Sequence, residues 1–287
     1  MMNWRNFGKR MMVALTAFLA WTTPSVAQNA PEFTVGTFNI RYDNPDDTLE
    51  WRERRNEVAD AVRYFDIVAI QEALPHQWEE LEERLPLHET FGRGRDADGG
   101  GEACPVFWNR ERYDFLTGEV RWLSLNPNAA GSIGWDADLP RIVTVVVLYD
   151  RLREQTIRIL NTHWSHAGEE ARLNASALLA GWSGWEDQSA EDLVILCGDL
   201  NATNDQVEVT NLMASAELQD TYDAAKYRCR KEFGTYTTFL PDNLANATRI
   251  DYIFYRGAAK VDWVCADEFI KYGVYISDHM PYHAVFK

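Results

Sequence analysis

Short apolar, β-branched runs recur along the whole chain and alternate with segments of helical periodicity. We predict strands over eight of these runs: FTVGTFNIR, FDIVAIQEA, CPVFWN, RIVTVVVLYD, TIRILNTHW, LVILCGDLNA, RIDYIFY and YHAVFK. Several of the runs are apolar at consecutive positions, which is typical of strands that are covered on both faces. The pattern therefore predicts β-sheets buried between other layers.

Three segments between these strands have the periodicity of helices. In residues 51–65, and again after Pro75, apolar side chains recur three or four positions apart and share one helical face. A third helix is predicted over residues 169–182. The runs RIVTVVVLYD and TIRILNTHW follow each other with only a turn between them, so the chain is not a strict βα repeat. A layered α/β sandwich is favoured over a Rossmann sheet or a β/α barrel.

The first residues have the three-part layout of a secretory signal. Three basic residues precede an apolar run from Met11 to Trp21, and the small residues Ser25 and Ala27 follow it. We expect residues 1–27 to be a signal peptide, cleaved near Ala27, and residues 28–287 to form one exported domain, periplasmic or secreted. The alternative is an uncleaved anchor. No later run reaches the ~20 apolar residues of a membrane helix, so we expect no transmembrane segment in the mature chain.

The net charge limits the classes of binding partner, and the cysteine spacing limits the kinds of disulfide or metal site. The chain has 28 basic and 44 acidic residues, a formal net charge of −16, which disfavours long nucleic acid and anionic membranes as partners. Cys104 and Cys197 lie in apolar runs and are expected to be buried thiols. A bridge between Cys229 and Cys265 is left open, because the spacings fit neither a disulfide framework nor a CxxC zinc motif.

Polar residues suited to catalysis and metal binding stand at the ends of the apolar strands. A single Asp or His there is commonly a turn residue, but the placement repeats along this chain. The residues are Asn39, Glu72, His163, Asp199, Asn201, Asp251, Asp278 and His279. Asp199 and Asn201 flank Leu200, so in an extended segment their side chains point to the same side. We expect a cleft at the strand ends to gather these groups.

In this order the motifs resemble the endonuclease/exonuclease/phosphatase superfamily, which has the fold of deoxyribonuclease I. The resemblance runs through TFNIRYDNPDD, QEALPHQ, GEACPVFW, LPRI, NTHWSH, GDLNAT, RIDYIF and SDHMP, and covers essentially all of residues 28–287. It is greatest to the exported bacterial branch. It implies a four-layer α/β sandwich, in which two packed mixed β-sheets are flanked by helices, and a Mg²⁺-dependent hydrolase of phosphate esters in which Mn²⁺ can substitute.

The resemblance also implies roles for the metal and water ligands. Glu72 would be the principal Mg²⁺ ligand, supported by Asn39 and Asp278, because this hard cation prefers oxygen donors. Asp199 would position or deprotonate the attacking water. Asn201 would donate a hydrogen bond to a phosphoryl oxygen.

Two carboxylate–imidazole pairs are implied as well. Asp251 would fix the tautomer of His279, and Glu102 would form a second pair with His163. Together the pairs offer a general acid and a general base. Which histidine has which role stays open.

Arginines and one more histidine are candidates to bind the substrate phosphate. Arg54, Arg55 and Arg141 present paired donors, although at least one of Arg54 and Arg55 is expected on a solvated helix face. His166 is a further candidate. One departure is Ser165 in THWSH, where members of this branch often carry Asp, which puts any contact made by that Asp in doubt.

The sequence favours a monomeric phosphodiesterase or phosphatase that acts on a small or extracellular phosphate ester. The alternatives are a secreted nuclease, a sphingomyelinase-like phospholipase, and a non-catalytic binding protein on the same scaffold. The tryptophans Trp51, Trp108, Trp135 and Trp164 could line a stacking surface for a substrate or pack in the core.

Overall fold

The structure is a computed structural model that describes residues 31–183, 193–230 and 234–287. The predicted signal segment lies outside the described residues. The strands, in chain order, are β1 Phe33–Asn39, β2 Ile67–Gln71, β3 His88–Phe91, β4 Val106–Asn109, β5 Tyr113–Trp122, β6 Ile142–Asp150, β7 Gln155–His163, β8 Leu193–Asp199, β9 Gln219–Asp220, β10 Tyr227–Arg228, β11 Asp251–Arg256, β12 Val261–Ala266, β13 Ile270–Lys271, β14 Val274–Tyr275 and β15 Tyr282–Phe286. The helices are α1 Trp51–Val62, α2 Pro75–Arg84, α3 Glu169–Ser183, α4 Val207–Ser215 and α5 Thr221–Ala224, with a 3₁₀ helix over Pro241–Asn246.

Two large mixed sheets pack face to face. The first has the strand order β10-β12-β15-β1-β2-β4-β3, and the second has the order β5-β6-β7-β8-β11-β9. Inward-facing residues of both sheets, such as Val35, Ile67, Val146 and Ile195, form one core cluster between them. This cluster explains why the runs are apolar on both faces, since their other faces are covered by helices.

Helices cover the outer face of each sheet. Val58 of α1 and Leu81 of α2 pack with residues of β1 and β2, while α3 and α4 pack against β6, β7 and β8. The arrangement confirms the predicted four-layer α/β sandwich. It also confirms the three predicted helices, of which α1 ends three residues earlier than expected. No helix among the described residues is long and apolar enough to cross a membrane.

Strand register brings the chemistry-bearing strand ends to one end of the sandwich. In the parallel pair β1 and β2, Asn39 is opposite Gln71, and in the parallel pair β7 and β8, His163 is opposite Asp199. The antiparallel strand β11 begins with Asp251, which is opposite Asp199. Polar residues at the ends of five strands, β1, β2, β7, β8 and β11, therefore lie at the same end of the sandwich.

A buried amide contact joins the two sheets directly below this end. Gln71 Nε2 of β2 donates to Asn161 Oδ1 of β7 at 2.7 Å, and both residues are fully buried. Asn161 Nδ2 in turn donates to the carbonyls of Ile70 and Pro105 at 2.8 and 2.9 Å. Because buried polar groups need partners, this contact fixes the alignment of the sheets beneath the site.

The remaining predictions about the core are resolved. Cys229 and Cys265 form a disulfide with a Cα–Cα distance of 5.1 Å, while Cys104 and Cys197 are buried free thiols. Trp51, Trp108 and Trp164 are core residues with at most 2% of their surface exposed, so none of these three offers a stacking surface. Trp135, in the segment after β5, is half-buried.

Candidate active site

A cavity of about 530 Å³ opens at the end of the sandwich where the five strand ends meet. This size is typical of a small-molecule site. Nine of the thirteen site residues proposed from the sequence line it: Glu72, Glu102, Arg141, His163, His166, Asp199, Asn201, Asp278 and His279. Asn39 and Asp251 hydrogen-bond to cavity residues from beneath, whereas Arg54 and Arg55 lie elsewhere.

A chain of buried groups runs through His279. Its Nδ1 lies 2.7 Å from Asp251 Oδ2, and its Nε2 lies 3.6 Å from Asp199 Oδ2. Burial by itself would lower the pKa of His279, but the charges of Asp251 and Asp199 raise it well above the ordinary value. Burial raises the pKa of Asp199 to about 7. Since Nδ1 donates to Asp251, the second proton of the charged imidazole is on Nε2, which faces Asp199.

His163 has the opposite electrostatic environment. Burial and the nearby Arg141 lower its pKa well below the ordinary value, so the ring is neutral. Asn201 Nδ2 donates to the Trp164 carbonyl at 3.1 Å and lies 3.0 Å from His163 Nε2. The carbonyl contact identifies this atom as the amide nitrogen, so Nε2 accepts and the ring proton is on Nδ1. The two histidines are therefore prepared for different proton states.

Asn39 separates two carboxylates at the cavity floor. Its Nδ2 donates to Glu72 Oε1 at 2.9 Å and to Asp199 Oδ2 at 3.0 Å, and its Oδ1 accepts from the Arg41 backbone at 3.0 Å. In this structure Asn39 is thus a hydrogen-bond donor within the site, with its oxygen turned towards the backbone. Glu72 Oε2 accepts from the Tyr42 backbone at 3.0 Å.

The acidic groups that face the cavity suit a hard divalent cation. Glu72 accepts hydrogen bonds from two neutral donors, which leaves lone pairs free on a carboxylate. Burial, and then the charge of Glu72, raise the pKa of Asp278, so a cation between these two carboxylates would relieve the unfavourable charge. Ligand atoms of Asp199, Asp251 and His279 also lie within 4.8 Å of one another. In that trio His279 Nδ1 already donates to Asp251 Oδ2 at 2.7 Å, whereas Glu72 has lone pairs that face the cavity.

The expected pair of Glu102 and His163 is not formed. Glu102 instead makes two contacts with the Arg95 guanidinium, at 2.7 and 2.8 Å. Arg95 and Glu102 are opposite each other at the base of a tight turn, since the Arg95 backbone donates to the Glu102 carbonyl at 3.0 Å. The Glu102 carboxylate is therefore occupied by the Arg95 guanidinium, and His163 Nδ1 has no partner among the described residues.

Arg54 does not reach the cavity, contrary to the expectation that it binds substrate phosphate. The side chain is completely buried, and it donates to the backbone carbonyls of Ile40, Arg41, Tyr42 and Ile276. Its Nη1 and Nη2 are both occupied by backbone carbonyls, so the guanidinium has no terminal donors left for a ligand. Arg54 instead holds the segment that follows β1. Its neighbour Arg55 pairs with Glu80 on α2.

Five cavity residues were not singled out from the sequence: Arg41, Tyr42, Leu139, Tyr236 and Ile250. Arg41 follows Asn39 by two positions, and its Nη1 lies 3.7 Å from Asp278 Oδ2. The half-exposed Tyr236 places its ring 5.1 Å from the His279 ring. Leu139 forms part of the rim. The position of Arg41 within TFNIR was a usable signal, whereas Tyr236 and Leu139 lie in irregular segments without a pattern.

Comparisons with known proteins agree with this geometry. The model of the Endonuclease/Exonuclease/phosphatase family matches residues 36–279. The structure of a family member from Bacteroides vulgatus is 30% identical, with a TM-score of 0.83 over 90% of this chain and 99% of that one. A mannosyl-6-phosphatase from Bacteroides thetaiotaomicron VPI-5482 is 28% identical, with a TM-score of 0.83 over 89% and 99%.

A more distant likeness shows the fold alone. D. rerio TDP2 in complex with a single-strand DNA product is 19% identical, with a TM-score of 0.69 over 89% of this chain and 99% of that one. A comparison with curated protein sequences finds no significant match.

Proposed function

The chain belongs to the endonuclease/exonuclease/phosphatase family and is a hydrolase of phosphoric esters, and we propose that it is an exported, Mg²⁺-dependent phosphatase of a small ester. The observation that carries the proposal is one cavity in which a buried guanidinium with unused donors accompanies a charged imidazole. Arg141 Nε and Nη1 have no partner among the described residues, and His279 is held in its charged form by Asp251.

Cavity size and charge support a small substrate. The cavity of about 530 Å³ is large enough for a phosphorylated metabolite, and the net charge of −16 disfavours the backbone of long nucleic acid. The similar mannosyl-6-phosphatase supports a phosphorylated sugar as a member of this substrate class. Residues of a single chain line the cavity, and we propose that the protein acts as a monomer.

The proposed chemistry assigns one proton-handling role to each side of the cavity. Asp199, whose pKa burial raises to about 7, orients the attacking water and accepts its proton. His279 donates a hydrogen bond to a phosphoryl oxygen as negative charge develops there, and Asp251 keeps its proton in place. As the bond from water to phosphorus forms, the bond from phosphorus to the ester oxygen breaks. The leaving alkoxide takes a proton from water, and Asp199 releases the proton that it accepted to solvent. Neutral His163 accepts from the amide of Asn201, and this contact fixes both side chains in the cavity wall.

Arg141 supplies the main charge for holding the ester. Its guanidinium is nine-tenths buried, which strengthens its attraction to a phosphate dianion relative to a solvated arginine. Its Nε and Nη1 are buried and have no partner among the described residues, so the guanidinium keeps unused N–H donors beside the cavity. We propose that Arg141 binds the terminal phosphate.

Glu72 and Asp278 would hold the divalent cation, with Asn39 fixing the orientation of Glu72. Their oxygen donors fit Mg²⁺, and Mn²⁺ accepts the same ligands. When bound, the cation would neutralise charge on a phosphoryl oxygen and help to lower the pKa of water. The remaining ligands would be water molecules and the substrate, which is usual for Mg²⁺.

Export is supported by the layout of residues 1–27 and by the disulfide between Cys229 and Cys265. Disulfides persist in oxidising compartments and are rare in the cytosol. We therefore propose a periplasmic or secreted enzyme. N-terminal sequencing of the protein recovered from culture medium and periplasm should give a chain that begins near residue 28; a cytoplasmic chain that retains residue 1 would contradict it.

A substrate panel tests the proposed activity. Initial rates are measured with p-nitrophenyl phosphate, a hexose 6-phosphate, bis(p-nitrophenyl) phosphate and plasmid DNA, each with Mg²⁺ and with EDTA. We expect turnover of the monoesters that EDTA abolishes. Cleavage of DNA or of the diester far above the monoesters would replace the phosphatase with a nuclease or a phosphodiesterase.

A further inference from the structure

Arg141 is anchored at a single point. Its Nη2 lies 3.1 Å from His166 Nδ1, while Nε and Nη1 have no partner among the described residues. Only 6% of the residue is exposed, so water does not compensate the guanidinium as it would at the surface. One imidazole nitrogen therefore sets the direction in which the free donors point.

The chemistry of this contact fixes the tautomer of His166. A guanidinium only donates, so His166 Nδ1 must be an acceptor and must carry no proton. The ring proton is then on Nε2, which lies 3.8 Å from Asp138 Oδ2. A carboxylate at this side favours that tautomer, as it does wherever an imidazole must present a defined lone pair.

A second contact holds Asp138 and His166 in register. Asp136, two residues before Asp138, accepts from the backbone of Glu170 and Ala171 at 3.2 and 2.7 Å. These backbone donors belong to the first turn of α3, where they have no acceptor within the helix; α3 begins three residues after His166. A Cβ atom at Gly168 would collide with the Asp136 carboxylate, so glycine permits the approach.

From this geometry we infer that His166 and Asp138 are positioning residues for Arg141, and that they act on substrate phosphate only through its guanidinium. The inference rests on the proposed binding of phosphate by Arg141. Asp138 sets the tautomer, His166 presents Nδ1, and Nδ1 fixes the orientation of the Arg141 guanidinium in the cavity wall. His166 is half-exposed at the rim, yet its function is this partly buried hydrogen bond rather than a contact with the ester.

Two substitutions at His166 distinguish the effect of its hydrogen-bond acceptor from the effect of its side-chain volume. Asparagine can place Oδ1 where Nδ1 stands, so His166→Asn keeps an acceptor for Arg141, whereas His166→Leu has similar size and no acceptor. Asp138→Ala removes the group that sets the tautomer. The control is His76→Leu, since His76 is another half-exposed imidazole beside a carboxylate, 3.0 Å from Asp43, outside the cavity.

The measurements are the KM and kcat for p-nitrophenyl phosphate and the inhibition constant of inorganic phosphate. For His166→Leu we expect KM and the inhibition constant to rise by roughly tenfold or more, the size of one hydrogen bond to a charged group, with a smaller change in kcat. His166→Asn should recover most of that loss. Asp138→Ala should raise both constants by about two- to fivefold, and His76→Leu should leave them unchanged.

The outcomes distinguish this inference from the proposed function. If Arg141→Ala binds phosphate as well as the parent does, Arg141 is not the phosphate group and the proposed function loses its anchor. If Arg141→Ala loses phosphate binding but His166→Leu does not, only the positioning inference is wrong. Equal losses in His166→Asn and His166→Leu would also overturn it, because the acceptor would then be irrelevant.

Discussion

Replacing Asp251 with asparagine tests the buried charge beneath His279. Asparagine has nearly the same shape, so Asp251→Asn removes the charge and leaves the packing intact. The carboxylate accepts from His279 Nδ1 at 2.7 Å, and both residues are almost completely buried. A hydrogen bond to a charged group contributes about 1.5–3 kcal/mol, which corresponds to roughly 10- to 150-fold in rate if it is lost in the transition state.

We therefore expect Asp251→Asn to lower kcat by about 10²-fold and to change KM less than threefold. The pH profile should change as well. Asp251 and Asp199 raise the pKa of His279, so the charged imidazole persists above neutral pH in the parent enzyme. Without one of these charges the pKa falls, and the high-pH limb of activity should move to lower pH.

The assay is steady-state hydrolysis of p-nitrophenyl phosphate from pH 5 to 10 at saturating Mg²⁺, beside urea unfolding of each variant. The matched control is Asp267→Asn, because Asp267 Oδ2 lies 2.6 Å from His283 Nδ1 outside the cavity. An Asp251→Asn enzyme within twofold of the parent would refute the reasoning. So would an equal loss in Asp267→Asn.

Three further predictions concern stability. Arg54→Met should lower the free energy of unfolding by about 3 kcal/mol or more, because several buried carbonyls lose their donor. Arg55→Met should lower it by under about 1 kcal/mol, since Arg55 makes only an ion pair with Glu80. Equal losses for the two variants in urea unfolding would contradict a structural role for the buried Arg54. Burial lowers the pKa of His88 from 6.5, so its contribution to stability is complete above about pH 6.5 and is lost as pH falls towards the folded pKa. His88→Gln should make the free energy of unfolding depend less steeply on pH between pH 5 and 7. An unchanged pH dependence would contradict this prediction. Serine at both Cys229 and Cys265, which are 36 residues apart, should lower the free energy of unfolding by about 3–4 kcal/mol with kcat kept, and a loss under about 1 kcal/mol would show that the bridge adds little.

The convergence of the site was predictable because it follows from strand pairing. Polar residues such as Asn39, His163 and Asp199 end apolar runs, and the carboxyl ends of parallel neighbours meet at one sheet edge. Their register also brings in Asp251, which begins the antiparallel strand β11. Local sequence patterns placed these four groups at strand ends, and the order of the motifs along the chain implied that they share one pocket.

The burial of Arg54 was also readable from the sequence, although WRERR reads as a solvated charge group. Arg54 is three positions after Trp51 and four before Val58, which puts it on the apolar face of α1. An arginine on such a face needs buried acceptors. The backbone after β1 supplies them.

Other contacts depend on geometry that no local pattern encodes. The pairing of Glu102 with Arg95 depends on the register of a glycine-rich turn, and the position of Tyr236 over His279 depends on an irregular segment. The same holds for Asp138, which reaches His166 only because Asp136 ties its loop to α3. Long-range side-chain contacts between loops are set by the folded chain as a whole.

The most direct test of a cation-dependent phosphatase is the rate of p-nitrophenyl phosphate hydrolysis as a function of Mg²⁺ concentration, in the parent and in Glu72→Gln. We expect no turnover of the parent in EDTA, recovery with Mg²⁺, and a half-maximal Mg²⁺ concentration at least about tenfold higher in Glu72→Gln, whose neutral amide is a poorer ligand. Full turnover in EDTA, or the same Mg²⁺ dependence in both proteins, would contradict the assignment of Glu72 and the metal-dependent mechanism built on it.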